Sequence, residues 1–407
     1  MMTSRELNLQ EILRAVEQAP PTSSVTAVAD LLAEQVDAHD VCFLITDLAG
    51  EALWRLPAVW ADREGKADPV EPLPGTVYDE VLRTQKLHVV EAHAPDGYKR
   101  GGYLVVTPVT TRGDAIGALE LVTQQPPTPS EQEHIAQAAQ ALSYVVTINR
   151  RFTDLFEWRR RTKVPSLAAE IQHNLLPAAL AVEAGQATVA GALEPAGDIA
   201  GDTFDYSLDE QALHLSITDA MGHGVESALL ASLVAGALRQ TRRAALPLPE
   251  QANAAHRALL EYGRGGTATG QMLWVDLTSG HALLVNAGHP WPLRLRAGQV
   301  TELEPQVDMP FGNPWQDSYQ VQEISLYPGD RLVFLTDGML ERNTRTLDLP
   351  TVIARDTALH PRQAVRSMVQ ALRAATDGEL LDDATVVCLD WYGPGSSQRT
   401  GATESRR

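Results

Sequence analysis

The chain has little cysteine, few aromatic residues and no long apolar run. Its 407 residues include two cysteines, Cys42 and Cys388, and 5% aromatic residues. Two isolated thiols, with neither a CxxC motif nor a Cys/His cluster, exclude a disulfide framework and argue against zinc or iron–sulfur ligation. Because both cysteines lie in apolar strand-like runs, we interpret them as buried, unreactive thiols in a reducing cytoplasm.

Basic residues and membrane-spanning segments are also lacking. The chain has 33 Lys and Arg against 52 Asp and Glu, a formal charge of -19. Such a charge repels nucleic acids and anionic membranes, so we expect neither as a partner. No run approaches the roughly 18 apolar residues of a membrane span, and the N-terminus lacks the apolar core of a signal peptide. We therefore expect a cytoplasmic, soluble protein.

The length predicts two domains, each with its own core. Residues 1–19 form a predicted N-terminal helix, and residues 20–150 a compact α/β unit that opens with a helix at about 24–38. Its strand-like runs are Val41–Thr46, Lys86–Glu91, Tyr103–Pro108 and Ala115–Val122. Ser130-Glu131-Gln132-Glu133 has the form of a capping box, which predicts the start of a closing helix.

A helical linker is predicted over residues 151–183. From Glu131 to about Lys163 there is neither Gly nor Pro, so the closing helix is expected to continue into the basic cluster at 159–163. This cluster is typical of a solvated helix face near a C-terminus. The alternatives are a connector that transmits state between domains and the seam of a homodimer, and we expect dimerisation through the helices of residues 131–176.

A second linker helix is predicted after Pro165. Ser166 caps it, and Pro177 ends it, because proline supplies no amide and clashes with the preceding turn. Its apolar face is predicted from residues spaced four apart: Leu167, Ile171 and Leu175.

The segment 184–392 has a different pattern, in which short strands alternate with turns. Its clearest strands are Leu213–Ile217, Met272–Leu277, Ala282–Asn286, Tyr319–Ile324, Arg331–Leu335 and Thr385–Trp391. Its predicted helices are 224–243, 249–262 and about 361–376. Many antiparallel strands with helices set outside them indicate an α+β fold, a β-sandwich covered on both faces. The Gly/Ser/Arg-rich tail, 393–407, is predicted to be disordered.

Four aspartates in this segment follow strand-like runs beside small residues: Asp202, Asp219, Asp337 and Asp382. Each one alone is typical of a turn, because Asp tolerates the left-handed conformation and Gly supplies positive φ. Several buried together without cations would repel one another. Two hard divalent cations take oxygen ligands and clamp both oxygens of an in-line displacement at phosphorus. The pattern therefore predicts a metal-dependent phosphatase.

Six motifs in order carry a family resemblance. They are Glu194–Asp205, Asp219–Gly224, Asn286–Pro290, Pro328–Asp330, Leu335–Gly338 with Glu341, and Asp382–Thr385. Residues from about 190 to 392 resemble the bacterial PP2C-type serine phosphatases of the SpoIIE/RsbU-like class. The helix containing Ile171-Gln172 and Leu175-Leu176-Pro177 resembles the one that precedes this domain. Residues 20–150 resemble a GAF sensor domain, mainly through Pro108, Ile116-Gly117 and the closing helix.

The resemblance implies a four-layer αββα sandwich with two Mn²⁺ or Mg²⁺ ions. The residues it assigns to the metals are Asp202, Asp219, the Ala220 carbonyl, Asp337, Asp382 and, beside them, Asp383. It implies that a water activated by the two ions attacks phosphoserine or phosphothreonine directly, without a phosphoenzyme. The implied substrate is a phosphorylated anti-anti-sigma protein of the STAS type, supplied in trans.

The sequence departs from the family pattern in two places. Ala200 stands where a glycine is usual, and Thr203 stands where an aromatic residue is usual. One alternative function is therefore a non-catalytic sensor or scaffold that keeps the fold. Another is a two-metal phosphodiesterase or nuclease, which would require a basic substrate track that a chain at -19 lacks.

Several other polar residues are weaker candidates for a role in the site. His289, in a Gly-His-Pro turn, is interpreted as a structural hydrogen-bonding residue. His223 starts a predicted helix, and a proton-donor role is its less favoured alternative. Asp205 is predicted to support the site, whereas Asp198 is interpreted as a solvated loop residue and Asp330 as a turn residue. No arginine stands out by its spacing as a phosphate clamp.

The N-terminal unit contains five aromatic residues that bear on ligand binding: Trp54, Trp60, Tyr78, Tyr98 and Tyr103. Packing is the favoured interpretation, and lining of a pocket for an unknown small ligand is the alternative. The sequence contains neither a haem-ligating constellation nor a bilin-attaching cysteine.

Overall fold

The computed structural model describes residues 9–47, 50, 52–56, 71–92, 102–159, 166–196, 201–340, 347–378 and 380–396. The chain divides into two compact units, an N-terminal one up to residue 164 and a C-terminal one over residues 165–400. Several predicted features lie outside the described residues: Trp60, Tyr98, Asp198, Ala200, Glu341, the basic residues 160–163 and the tail from 397. None of the described helices has both the length and the apolar character required to cross a membrane.

The N-terminal unit has one six-stranded antiparallel sheet, sheet I, in the order β3-β2-β1-β6-β5-β4. Its strands are β1 Ala38–Thr46, β2 Ala52–Leu56, β3 Glu71–Pro72, β4 His88–Ala92, β5 Gly102–Thr111 and β6 Asp114–Thr123. Its helices are α1 Leu9–Gln18, α2 Ser24–Val36, α3 Val77–Thr84, α4 Pro129–Asn149 and α5 Leu155–Arg159.

Sheet I is covered by helices on both faces. Phe43 and Ile45 of β1 belong to the core shared with α1, α2 and α4, whereas Leu44 belongs to the core beneath α3. This alternation follows from the two-residue period of a strand. It explains why β1 is a continuous apolar run rather than an alternating one.

The closing helix, α4, begins and ends at residues other than those predicted from the sequence. Its N-cap is Thr128, which forms the capping box with Glu131, so the prediction of a cap at Ser130 was wrong by two residues. The helix ends at Asn149, so the prediction that it continues to about Lys163 was also wrong. The amides of Arg151 and the next residue bond back three residues and tighten the last turn. The bend lets Phe156 of α5 enter the core, where it is fully buried.

Two aromatic residues of this unit serve in packing. Tyr78 of α3 is buried and donates its hydroxyl to the buried carboxylate of Glu120, which also pairs with Arg55. Trp54 packs against the main core. Tyr103 lies on β5, where it is half-buried.

The C-terminal unit contains two antiparallel sheets. Sheet II has five strands in the order β15-β12-β11-β10-β9, and sheet III has six in the order β14-β13-β16-β17-β8-β7. The strands are β7 Ala181–Glu183, β8 Ala187–Glu194, β9 Asp202–Leu208, β10 Ala212–Ala220, β11 Ala268–Asp276, β12 His281–Ala287, β13 Leu293–Arg296, β14 Gln299–Glu302, β15 Gln322–Ser325, β16 Asp330–Leu335 and β17 Ala384–Trp391. The helices are α6 Leu167–Leu175, α7 Gly224–Arg243, α8 Leu248–Tyr262, α9 Leu349–Arg355 and α10 Pro361–Ala375.

Three cores join these elements into four layers. Phe204 and Ile217 of sheet II pack against Phe334 and Leu389 of sheet III. The outer face of sheet II packs against α7 and α8, and the outer face of sheet III packs against α9 and α10. The unit is therefore a helix–sheet–sheet–helix sandwich, which is the arrangement implied by the family resemblance.

The apolar face of α6 differs from its prediction. Leu167 is 65% exposed, whereas Ala168 and Gln172, spaced four apart, are buried against the unit. Ile171 packs with Ala168 and Ala228 of α7. A buried glutamine thus occupies a position on the packed side of this helix, where an aliphatic residue would be expected.

Candidate active site

The first pair of predicted ligands lies on two neighbouring strands of sheet II. Asp202 begins β9 and Asp219 lies next to the last residue of β10, and the antiparallel register places them directly opposite each other. Opposite residues project from the same face, with Cβ atoms about 4.5–5.5 Å apart. The hairpin therefore brings two carboxylates together without any contribution from the rest of the fold.

Two threonines connect Asp202 to sheet III. Thr336, just after β16, and Thr385, at the start of β17, each donate a hydroxyl hydrogen bond of 2.7 Å to Oδ2 of Asp202. The Thr385 amide also donates to the Thr336 hydroxyl at 2.8 Å. The site thus lies where β9 and β10 of one sheet meet β16 and β17 of the other.

The remaining carboxylates come from the segments that flank β16 and β17. Asp383 is buried, and its Oδ1 accepts the Ala196 amide at 2.8 Å while its Oδ2 accepts the Gln172 side-chain amide at 2.6 Å. Asp382 accepts the Asp383 amide at 2.8 Å. Asp337 is exposed at the end of β16. We call Asp202, Asp219, Asp337, Asp382 and Asp383 the carboxylate cluster.

Burial and mutual repulsion raise the pKa values in this cluster. Burial raises the pKa of Asp202 well above its usual range, and the charges of Asp219 and Asp383 add to this effect. Burial, followed by the charges of three other cluster members, raises the pKa of Asp219 to about 7. Burial also raises the pKa of Asp383 to about 6, and it raises the pKa of Asp382 above its usual value. Bound cations would reverse these shifts, because a nearby positive charge favours the ionised form.

Glycines allow the backbone to approach the cluster closely. A Cβ on Gly201 would lie 2.4 Å from the Ala220 carbonyl oxygen and 3.3 Å from Oδ1 of Asp219. A Cβ on Gly338 would lie 2.0 Å from the Asp383 carbonyl oxygen. The small residues beside the aspartates are therefore required by close packing and not only by turn geometry.

The donor atoms of the cluster are of the type that divalent cations bind, but they are not arranged as a coordination shell. Among the described residues, no group of three or more His, Cys, Asp or Glu side chains is placed so that it could hold a metal ion. The donors are all oxygen atoms, from carboxylates and from the Ala220 carbonyl, which is the ligand type that Mg²⁺ and Mn²⁺ prefer. Crowded carboxylates of raised pKa are the environment that such cations stabilise.

The secondary candidates have other roles. The His289 amide donates to Oδ1 of Asn286, and its Nδ1 lies 2.8 Å from the Thr269 hydroxyl, as predicted for a structural residue. Burial lowers the pKa of His289 to about 3, which argues against a proton donor at neutral pH. His223 is the exposed N-cap residue of α7 and makes no side-chain cap hydrogen bond.

Two further aspartates are placed differently from their predictions. Asp205 pairs with Arg239 and Arg242 of α7, both at 3.0 Å, and so fastens β9 to that helix. Asp330 is more than a turn residue, because it is buried and accepts two hydrogen bonds from Arg296.

Sequence reasoning missed three residues that hold the cluster: Thr336, Thr385 and Gln172. The two threonines lie inside the motifs Thr-Asp-Gly and Asp-Asp-Ala-Thr, and Gln172 lies in the helix that resembles the segment preceding the phosphatase domain. Each of the three residues therefore belongs to a motif or helix that the sequence identifies, but the sequence does not show which group its side chain contacts.

Comparison with known proteins supports a phosphatase in the C-terminal unit. Residues 209–392 match the family model described as stage II sporulation protein E (SpoIIE). The matched span contains Asp219, Asp337, Asp382 and Asp383, whereas Asp202 and Gln172 precede it. The match supports a phosphoprotein phosphatase of the PP2C type, the enzyme class that the motifs predict.

Solved structures show similarities over about half of the chain. The RsbU and RsbW domains of a Mycobacterium tuberculosis protein are 27% identical, with a TM-score of 0.46, over 51% of this chain and 62% of that one. This chain thus covers less than two thirds of that protein chain. The SiaA PP2C domain of Pseudomonas aeruginosa is 19% identical, with a TM-score of 0.47, over 55% and 93%. The PP2C domain of SpoIIE from Bacillus subtilis, with a fragment of its regulatory domain, is 16% identical, with a TM-score of 0.41, over 50% and 62%.

Proposed function

We propose that the C-terminal unit hydrolyses phosphoserine or phosphothreonine on a protein substrate, with two divalent cations, Mn²⁺ or Mg²⁺, as cofactors. The observation that supports this most is the carboxylate cluster, which joins two buried and two half-buried acids with the exposed Asp337. In the described part of the chain, no lysine or arginine forms an ion pair with any of them. A group of acids without basic partners at a sheet edge is a costly arrangement unless cations bind there.

The chain itself would contribute alignment of the metal ligands. Asp202 and Asp219 would be central, with the Ala220 carbonyl, and Asp337 and Asp382 would complete the set. When bound, the cations would supply Lewis-acid activation of water and neutralise charge on the phosphoryl oxygens. The hydroxyls on Asp202 and the amides on Asp383 fix the carboxylate planes, a supporting role that metal sites commonly require.

The substrate is proposed to be a phosphorylated partner-switching protein, an anti-anti-sigma factor of the STAS type. The support is the resemblance of six motifs to the SpoIIE/RsbU-like class, together with the SpoIIE match over residues 209–392. The acidic chain, with its formal charge of -19, offers no general attraction for a nucleic-acid phosphodiester.

Regulation is proposed to come from the N-terminal unit, as a GAF-like sensor that binds an unknown small ligand and dimerises. The support for a dimer is an exposed apolar stripe on α4 and just beyond it, where Tyr144, Ile148 and Phe152 are 50%, 57% and 68% exposed. The spacing of four residues places Tyr144 and Ile148 on one face of α4, and Phe152 follows in the turn after the helix. A second copy of the chain would bury this stripe.

A non-catalytic scaffold is the second candidate. One observation favours it: across the described ranges, no group of acidic, histidine or cysteine side chains is gathered closely enough to hold a metal ion. A scaffold would retain the sandwich and bind its partner without turnover.

Metal-dependent hydrolysis tests the proposal. The full chain, stripped with EDTA, would be assayed on para-nitrophenyl phosphate, a phosphoserine peptide and bis-para-nitrophenyl phosphate, with and without Mn²⁺ or Mg²⁺. We expect metal-dependent turnover of both monoesters and little turnover of the diester. Absence of turnover in every metal and ligand condition would favour the scaffold, and preferred cleavage of the diester would indicate a phosphodiesterase.

A further inference from the structure

A cleft opens beside the carboxylate cluster. It has a volume of about 420 Å³ and is lined by the segment Gly288–Trp291, by Thr269 and Val307, and by Asp337. This volume falls within the roughly 300–1,000 Å³ of ligand-binding pockets. Because Asp337 belongs both to the cleft and to the cluster, the two form one continuous site.

The inner wall of the cleft is held by buried hydrogen bonds. The side chain of Asn286 accepts the His289 amide at 2.8 Å and donates to the His289 carbonyl at 2.9 Å. The side-chain amide of Gln271 donates to the Pro290 carbonyl at 2.8 Å. A Cβ on Gly288 would lie 2.8 Å from Pro310, so the turn has little room to shift. The wall is therefore preorganised.

The outer part of the cleft is apolar and open. Trp291 is 41% exposed and Val307 is 45% exposed. The indole N–H of Trp291 donates to the Pro305 carbonyl at 3.2 Å, which holds the ring in place. Fixed aromatic side chains contribute strongly to protein recognition, because little conformational entropy is lost when a partner packs on them.

We propose that this cleft binds the segment of the substrate phosphoprotein next to its phosphorylated residue, with an apolar side chain of that segment packed on Trp291 and Val307. This inference rests on the proposed function. A phosphoryl group at the cluster places the neighbouring substrate residues at the Asp337 end of the cleft. An extended chain advances roughly 3.3–3.6 Å per residue, so the three residues on either side of the phosphoserine reach about 10 Å along the cleft.

The test measures the turnover of a set of peptides by the unmodified enzyme and by its variants. The probes are phosphoserine peptides in a Gly/Ser background, each with a single leucine at one of the three positions on either side of the phosphoserine. We expect one leucine position to raise kcat/KM, mainly by lowering KM. Trp291→Ala is expected to abolish this preference, a loss of roughly tenfold or more for an aromatic anchor. Turnover of the parent Gly/Ser phosphoserine peptide, which has no leucine to pack on Trp291, is expected to fall much less than that of the preferred leucine peptide.

Two control variants separate recognition from structure. Trp315→Ala removes a tryptophan that is 83% exposed and does not line the cleft, so the leucine preference is expected to persist. Trp291→Phe keeps an aromatic ring and loses only the bond to Pro305, so it is expected to retain most of the preference.

The possible failures are distinguishable. Hydrolysis of all the peptides without a leucine preference, or a preference that survives Trp291→Ala, would overturn the cleft proposal and leave the phosphatase intact. An equal loss of activity on the preferred leucine peptide and on the parent Gly/Ser peptide would assign Trp291 to folding and also overturn it. Absence of metal-dependent turnover in the unmodified protein would overturn both proposals.

Discussion

The side-chain amide of Gln172 donates to Oδ2 of Asp383 at 2.6 Å and to the Asp202 carbonyl at 3.0 Å. Gln172 is 2% exposed and lies on α6, the first helix of the C-terminal unit. One side chain thus connects this helix to two members of the carboxylate cluster. The position of α6 and the orientation of Asp383 are therefore coupled.

Gln172→Ala is expected to weaken metal activation. Loss of a buried hydrogen-bond partner costs about 1–3 kcal/mol, so the Mn²⁺ concentration for half-maximal activity should rise about tenfold or more. Titration of para-nitrophenyl phosphate hydrolysis with Mn²⁺ measures this shift. Asn174→Ala is the control, because Asn174 is exposed on the same helix and its side-chain amide donates to Glu170 rather than to a member of the cluster. An unchanged Mn²⁺ requirement in Gln172→Ala would contradict the coupling.

Asp219→Asn and Asp337→Ala are each expected to abolish metal-dependent turnover. Both remove a carboxylate from the proposed metal ligands, while the N-terminal unit should remain folded. Metal content after gel filtration and turnover on para-nitrophenyl phosphate measure the effect. Asp317→Asn, in an exposed loop, is the matched control and should behave like the unmodified protein. Retained metal-dependent turnover in either ligand variant would disprove the assignment.

Metal-free protein is expected to lose stability as the pH rises. The folded pKa of Asp219 is raised to about 7, against about 3.9 for an unfolded aspartate. Between these values the unfolded chain binds fewer protons, so the free energy of unfolding falls as pH increases. Urea unfolding in EDTA at pH 5 and pH 8 measures this slope.

The Asp219→Asn variant is the reference for this change of the free energy of unfolding with pH. Its free energy of unfolding should fall less between pH 5 and pH 8, and it should exceed that of the unmodified metal-free protein at pH 8. His289, whose lowered pKa gives the opposite slope below pH 6.5, is common to both proteins and cancels in the difference. Identical slopes in the two proteins would refute the raised pKa of Asp219.

Gly201→Ala is expected to disturb the site, because its Cβ would lie 2.4 Å from the Ala220 carbonyl oxygen. Relief of that contact must displace the proposed metal-binding carbonyl, so metal-dependent activity should fall by tenfold or more, on the order of 1.4 kcal/mol in metal binding or catalysis. Gly236→Ala is the control, since a Cβ there meets open space within helix α7. The control should be neutral or stabilising by up to about 1 kcal/mol. Equal activities of the two variants would count against the close approach.

Ile148→Glu is expected to convert a dimer into a monomer. Residue 148 lies in the middle of the exposed stripe on α4, and a charge buried at an interface is strongly unfavourable. Light scattering on the full chain measures the mass. Leu260→Glu, which changes a leucine 48% exposed on α8, should leave the mass unchanged. A monomeric unmodified protein with full activity would argue against dimerisation.

The helices and strands with clear periodicity were predicted well. Helix α7 has the predicted bounds, and α2, α8 and α10 differ from theirs by one or two residues. The strands β8 and β9 were not identified. Strand β8 is rich in Ala and Gly, which have low strand propensity, whereas β9 does alternate, with Phe204, Tyr206 and Leu208 between polar residues. The end of α4 at Asn149 was also missed, since no Gly or Pro marks it and burial of Phe156 decides it.

The local chemistry of the site was determined by the sequence, because acidic residues beside glycines and the order of six motifs are properties of the chain itself. The predicted membership of the carboxylate cluster needed no structure. Only the tertiary structure decided that Thr336 and Thr385 hold Asp202, that Gln172 holds Asp383, and that Asp205 faces α7 instead. Those contacts join residues 34 to 211 positions apart. They arise from the packing of two sheets and a helix, and no local pattern of residues specifies such a contact.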